Sequence, residues 1–178
     1  MKKIILSLLI LGLLASGAWL IFSFQKKKES VTQAEERAES IPTISLTTIS
    51  GKNFSLPQLS SSIPTVLIYF NSTCEICQME LKSIADRISD FDDAHILLIS
   101  SQEHTELEEF YSTHPLRNLP NVYWLMDDQL EVAAHYGVRS VPTIFCYDVV
   151  GKLQGKFQGP VKVNILLDLL GIHKASRP

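Results

Sequence analysis

The spacing of apolar positions divides the chain into two parts. Residues 4–24, IILSLLILGLLASGAWLIFSF, carry no charge and show no polar face, and lysines flank them at Lys2, Lys3, Lys26, Lys27 and Lys28. As an α-helix rising about 1.5 Å per residue, this run would extend roughly 30 Å, the thickness of a bilayer's hydrocarbon core. The pattern predicts one transmembrane helix at residues 1–24, an uncleaved signal-anchor with Trp19 and Phe24 at interfacial depth. The rival is a cleaved signal peptide, with its apolar region at residues 4–14 and Ala15-Ser16-Gly17 for the peptidase; cutting there would leave AWLIFSF as an exposed apolar terminus. Lysines stand on both sides of the run, so charge does not orient it. Residues 25–40, QKKKESVTQAEERAES, are polar and read as a tether or a short exposed helix.

From Ile41 the period changes. TISLTTI and NFSLPQL, separated by Ser50-Gly51-Lys52, predict an N-terminal hairpin, and TVLIYF at residues 65–70 is the β-branched and aromatic run of a strand buried on both faces. Residues 75–89 place Cys77, Leu81, Ile84 and Ile88 at helical spacing, with Cys74 at the helix mouth. HILLIS (95–100) is the next core strand, followed by a helix over 103–112, a strand at NVYWLM, and a helix over 129–136 that ends on Gly137. TIFCYD and LQGKFQ flank Val150-Gly151-Lys152 as a second hairpin, and a last helix starting near Pro160 should bury Ile165, Leu166, Leu169 and Leu170. Strand and helix alternate first, and a hairpin and helix close the chain. That order predicts one α/β domain over 41–178, a central mixed β-sheet flanked by helices.

Composition narrows the function. The 178 residues suffice for one domain with a real core, and the net charge of −3 gives a nucleic-acid partner no electrostatic support. Three cysteines are too few for a disulfide-built scaffold.

Two of them carry the chemistry. In NSTCEICQME, Cys74 and Cys77 stand three positions apart where a core strand gives way to a helix. Residues i and i+3 share a helix face about 5–6 Å apart, within disulfide reach. At a helix start the unpaired amides and the dipole favour negative charge, so Cys74 should hold a stabilised thiolate while Cys77, one turn inside, is more covered. A metal would need two further ligands, and the chain offers only Cys146 and scattered His95, His104, His114, His135 and His173. A permanent staple closing so short a loop would remove little unfolded-state entropy. Redox exchange is the reading that remains, and it needs no cofactor. Pro142, before TIFCYD, reads as a strand start, and X-Pro bonds are the ones that adopt cis with any frequency. Cys146 alternates with Ile144 and reads as a buried core thiol, as Tyr123 and Trp124 read as core.

Residues 41–170 resemble the thioredoxin-like superfamily, specifically the membrane-anchored redoxin or TlpA/ResA-like thiol-disulfide oxidoreductases of bacterial envelopes. The resemblance rests on IPTISLTTISGKNFSL before the core strand, CEIC at the strand–helix junction, YGVRSVPT, and DVVGKLQGKFQG, in that order. It implies a thioredoxin-like fold with an N-terminal β-hairpin extension. It further implies that Cys74 is the nucleophile, that Cys77 resolves the mixed disulfide, and that Pro142 is a cis-proline packed against the pair. Val141 would then offer its backbone to an extended client segment. Glu80 stands where the group carries an acidic residue, which would draw the proton from Cys77. The implied partners are disulfide-containing client proteins, a membrane electron donor of the thiol-disulfide type, and the membrane itself. The implied location is the bacterial cytoplasmic (inner) membrane, single-pass, with the soluble domain on the periplasmic or extracytoplasmic side.

The chain departs from that pattern at Thr73, where Trp is usual before the first cysteine and where a client would be met, at Ile76 for proline within the motif, and at Lys82 for a helix proline. Glu75 beside the thiols should disfavour the thiolate and give a reducing poise nearer that of thioredoxin, about −270 mV, than of a strong oxidant. Two other functions fit the same scaffold. A thiol peroxidase would want Thr three residues before the reactive cysteine, where Asn71 stands; a non-catalytic peptide-binding module would have little use for both cysteines.

Overall fold

The structure is a computed structural model that describes the backbone of residues 2–56 and 62–172 and the side chains of residues 16–29, 32–56 and 62–172. The chain forms two compact units, Met1–Glu36 and Arg37–Pro178. Helix α1 (Lys2–Ala38) runs through the apolar segment and on through the polar residues after it. Among the described residues no helix is long and apolar enough to cross a membrane. The expected transmembrane helix is therefore not found there. More than half of its apolar run, residues 4–15, lies outside the described side chains, so the expectation rests on the sequence pattern alone.

The second unit is built on one seven-stranded mixed sheet in the order β2-β1-β5-β4-β3-β6-β7. Its strands are β1 (Ser45–Thr48), β2 (Asn53–Ser55), β3 (Thr65–Tyr69), β4 (His95–Ser100), β5 (Val122–Met126), β6 (Thr143–Tyr147) and β7 (Leu153–Gln158). The central strands β3, β4 and β5 run parallel, while β6, β7, β1 and β2 join antiparallel. All five residues of β3 are buried, as its unbroken apolar run requires of a strand covered on both faces.

The pleat sends alternate residues to two cores. Val66, Ile68 and Phe70 join Ile96, Leu98, Trp124 and Ile144 under α2 (Glu75–Ala85), α3 (His104–Thr113) and α5 (Val163–Leu169). Leu67 and Tyr69 join Leu97, Ile99, Leu125 and Phe145 beneath α4 (Glu131–Tyr136). Buried Asp127 starts α4: its carboxylate accepts the amides of Val132 at 3.1 Å and Ala133 at 3.0 Å, and the Tyr69 hydroxyl at 3.0 Å. Gly137 ends α4 with φ +61°, the left-handed cap expected of it.

Two helix boundaries differ from expectation by more than two residues. The α2 helix stops at Ala85 rather than at 89, because its last turn tightens: the Arg87 amide reaches back three residues to the Ile84 carbonyl at 3.0 Å, and a 3₁₀ turn follows at Ile88–Phe91. The last helix begins at Val163, capped by Lys162, and not near Pro160. That later start turns a different face inward. Val163, Leu166, Leu167 and Leu170 are buried at i, i+3, i+4 and i+7, whereas Ile165, expected inside, is 43% exposed and Leu169 is half-buried.

Candidate active site

The site forms where β3 ends and α2 begins. Cys74 occupies the position before the first helical turn, with extended backbone (φ −83°, ψ 114°), and its carbonyl accepts the Gln78 amide at 3.0 Å. The helix mouth thus surrounds the sulfur with amides that have no partner in the helix. The Cys74 thiol is lowered below its ordinary value, first by the Cys77 amide, then by the Cys77 thiol, with the Ile76 amide adding to them. Burial and the Glu75 carboxylate oppose this; Glu75 acts in the direction the sequence suggested but is the weakest of these influences.

Cys77 is the opposite case. It is fully buried, and burial above all pushes its thiol up to about 12. The hydrogen bond to the Cys74 sulfur and the charges of Cys74 and Glu80 push the same way, against a backbone contact from Asn71 that lowers it. One sulfur is half-exposed and favours the anion, while its neighbour one turn on keeps its proton. Cys74, Cys77 and Cys146 are free thiols.

Glu80 follows one turn after Cys77 on the same helix face. It is only 2% exposed, and burial raises its carboxyl against the stabilising amide of Val161. That amide donates to Oε2 at 2.9 Å, while Oε1 is buried with no hydrogen-bond partner. A carboxylate with one oxygen fastened and the other empty is placed to accept a proton.

The Val141–Pro142 peptide is cis, and Pro142 is buried. The Val141 carbonyl lies 4.0 Å from Cys74 Sγ, so the loop before β6 faces that sulfur directly. Thr73 is exposed beside it, with its amide and hydroxyl both donating to Asn71 Oδ1, at 2.8 Å and 2.7 Å. Its hydroxyl is thus turned back onto the loop. The fold brings Cys74, Cys77 and Glu80 together on α2 and sets Val141 against Cys74. Cys146 lies wholly buried on β6 opposite Val66, its thiol pushed up to about 12 by burial and then by Glu80. Tyr123 and Trp124 lie with the cores, Trp124 within an edge-on aromatic group with Phe70, Phe110, Tyr111 and His114.

Two features were not legible in local spacing. Ile76 and Met79, 48% and 68% exposed, leave two large apolar side chains on the solvent-facing side of α2. Ser72, Gln78 and Gln102 form a polar network behind the loop that carries Cys74, and Gln102 comes from the far end of β4. Among the described residues, no three His, Cys, Asp or Glu side chains gather as metal ligands would.

Comparison with known proteins agrees with this fold. The AhpC/TSA family matches residues 38–156. The methylamine utilization protein MauD of Methylobacillus flagellatus is 30% identical over 119 residues, 66% of this chain. The chain spans about half the length of that curated relative, 55%. Among solved structures, a secreted Mycobacterium tuberculosis disulfide oxidoreductase homologous to E. coli DsbE superposes with a TM-score of 0.60 at 23% identity, covering 76% of this chain and 95% of that one. The peroxidoxin BcpB of M. tuberculosis superposes at 0.64 with 20% identity, covering 76% and 96%. At these identities the superpositions speak for the thioredoxin-like fold, and the family match speaks for descent. The chain belongs to the AhpC/TSA family, a thioredoxin-like family of oxidoreductases.

Proposed function

We propose that this protein is a membrane-tethered thiol-disulfide oxidoreductase that reduces disulfides of client proteins in the bacterial envelope through its Cys-Glu-Ile-Cys motif. The observation that carries the reading is the asymmetry of the pair, a half-exposed Cys74 favouring the thiolate beside a buried Cys77 that holds its proton. The Cys74 thiolate attacks one sulfur of a client disulfide; a mixed disulfide forms and one client thiolate leaves. Cys77 then attacks Cys74 Sγ while its proton passes to the free oxygen of Glu80. The second client thiolate departs, and the two electrons of the Cys74–Cys77 dithiol have moved to the client. A thiol-disulfide donor in the membrane returns two electrons and restores the pair. The Val141 carbonyl and the exposed Ile76 and Met79 give an extended, partly apolar client segment a surface to lie on. The tether rests on the apolar run at residues 4–24, and the placing of the domain on the extracytoplasmic side of the cytoplasmic membrane rests on the resemblance to envelope oxidoreductases.

A thiol peroxidase is the second reading, favoured by membership of the AhpC/TSA family. Against it, Asn71 stands where that chemistry wants Thr, and its Oδ1 already holds Thr73. One experiment separates the two. Cys77→Ser leaves the mixed disulfide on Cys74 unresolved, so a protein reductase accumulates discrete covalent adducts and reduces insulin only as wild type. Rapid consumption of hydrogen peroxide, with no adduct and no insulin turnover, would reject the reductase.

A further inference from the structure

The loop between β3 and α2 is short, partly exposed, and carries the sulfur whose placement matters most. Its central residue, Ser72, is 6% exposed and has three polar groups, all engaged by two glutamines. The Ser72 amide donates to Gln102 Oε1, and the Gln102 Nε2 amide donates to Ser72 Oγ at 2.9 Å. The Ser72 carbonyl accepts from Gln78 Nε2 at 2.7 Å.

Gln102 is itself held. Beyond its two contacts with Ser72, its Oε1 accepts the Ser100 hydroxyl at 3.2 Å and its Nε2 donates to Glu106 Oε2 at 3.1 Å. A side-chain amide has two donor hydrogens and two acceptor lone pairs, so all four are used. The reversed amide would set its NH₂ group against the Ser72 amide, donor to donor, which fixes which way round it sits. The buried Gln102 side chain therefore works as a two-point clamp on Ser72, anchored to the end of β4 and the first turn of α3.

We propose that Gln102 is a positioning residue for the nucleophile: with Gln78 it grips Ser72 on every polar group and so holds Cys74 Sγ over the first turn of α2. Cys74 lies two residues beyond Ser72, and on its other side the Gln78 amide bonds the Cys74 carbonyl at 3.0 Å. The backbone on both sides of the sulfur is thus tied to one residue of α2, and Gln102 closes the frame from the neighbouring strand. The amides of Cys77 and Ile76 stabilise a thiolate only when its sulfur is kept over them, since helix-end stabilisation fades within a turn. Loosening the grip lets the loop carry Cys74 away from those amides without altering any atom that reacts.

This inference rests on Cys74 being the nucleophile, and its test keeps the two apart. The rate of Cys74 alkylation by iodoacetamide is followed against pH in wild type, Gln102→Met and Ser72→Ala, with peptide mapping to assign the sulfur. Methionine keeps the length and volume of glutamine and removes all four hydrogen bonds. Alkylation at neutral pH should fall about two- to fivefold in Gln102→Met, with its pH midpoint moved upward, and less in Ser72→Ala, which loses one contact of three. In the double variant the Ser72→Ala effect should shrink, because the partner of that hydroxyl is already gone. Should Gln102→Met fail to fold, Ser72→Ala decides. Folded variants with wild-type rate and midpoint would overturn the inference alone. A wild-type Cys74 that alkylates no faster than an ordinary thiol would overturn the nucleophile assignment, and this inference with it.

Discussion

Replacing Glu80 by Gln separates two roles that predict opposite signs. In the free dithiol the Cys77 thiol is pushed up to about 12, first by burial, so it holds its proton at pH 7 and would have to lose it to attack a mixed disulfide on Cys74. Glu80 contributes to that rise through its charge. If charge were its whole role, Glu80→Gln would ease ionisation of Cys77 and speed resolution. If the unpartnered Oε1 takes the proton as Cys77 attacks, the same change removes a general base, worth about 10²–10⁴ in rate. The assay uses an aromatic disulfide that releases a coloured thiolate twice, once when Cys74 attacks and again when Cys77 displaces the second half. In Glu80→Gln the first release should keep its rate, and the second should slow about 100-fold or more. A second release that is unchanged or faster would refute the base assignment. Stability supplies an independent check with a definite sign. The native Glu80 carboxyl is raised above its ordinary 4.5, so the native state holds a proton that the unfolded chain releases. Its contribution is fully present below pH 4.5 and is lost as pH rises through the native value. Glu80→Gln should lack that decline and melt with a flatter pH dependence on the alkaline side.

Cys146→Ala should leave client reduction at the wild-type rate, because a wholly buried thiol pushed up to about 12 takes no part in exchange; the small void on β6 should cost about 1–2 kcal/mol in denaturant unfolding. Redox titration against thiol-disulfide buffers should place the Cys74–Cys77 couple nearer about −270 mV than about −120 mV, and a value at the oxidising end would reverse the proposed direction of electron flow. The full chain expressed in bacteria should stay with membranes through alkaline carbonate washing, and its release into the supernatant would remove the proposed tether.

What was legible in advance follows from how far apart the deciding residues lie. The hairpins, β3 and β4, the Gly137 cap and the cysteine pair at a helix mouth are local patterns, each set by residues within a turn or two. The face of α5 was harder to read. NILLDLL supports two overlapping apolar stripes, and only the packing of Val163 under the sheet selects the one that buries Leu167 and exposes Ile165. The clamp on Ser72 was not readable, because Gln102 stands 30 positions away and a glutamine at the end of a strand carries no signal of its own. The same holds for the Val161 amide, 81 positions from the Glu80 oxygen it fastens. Apolar period reports which side of an element faces the core, and it is silent about which buried polar groups will meet there.

The central claim is that Cys74 is the reacting sulfur and Cys77 its covered partner. The most direct measurement is a brief alkylation of the fully reduced protein at neutral pH, followed by peptide mapping of all three cysteines. The account predicts label on Cys74 alone, with Cys77 and Cys146 modified only after unfolding. Label on Cys77 as early as on Cys74, or a silent Cys74, would contradict it.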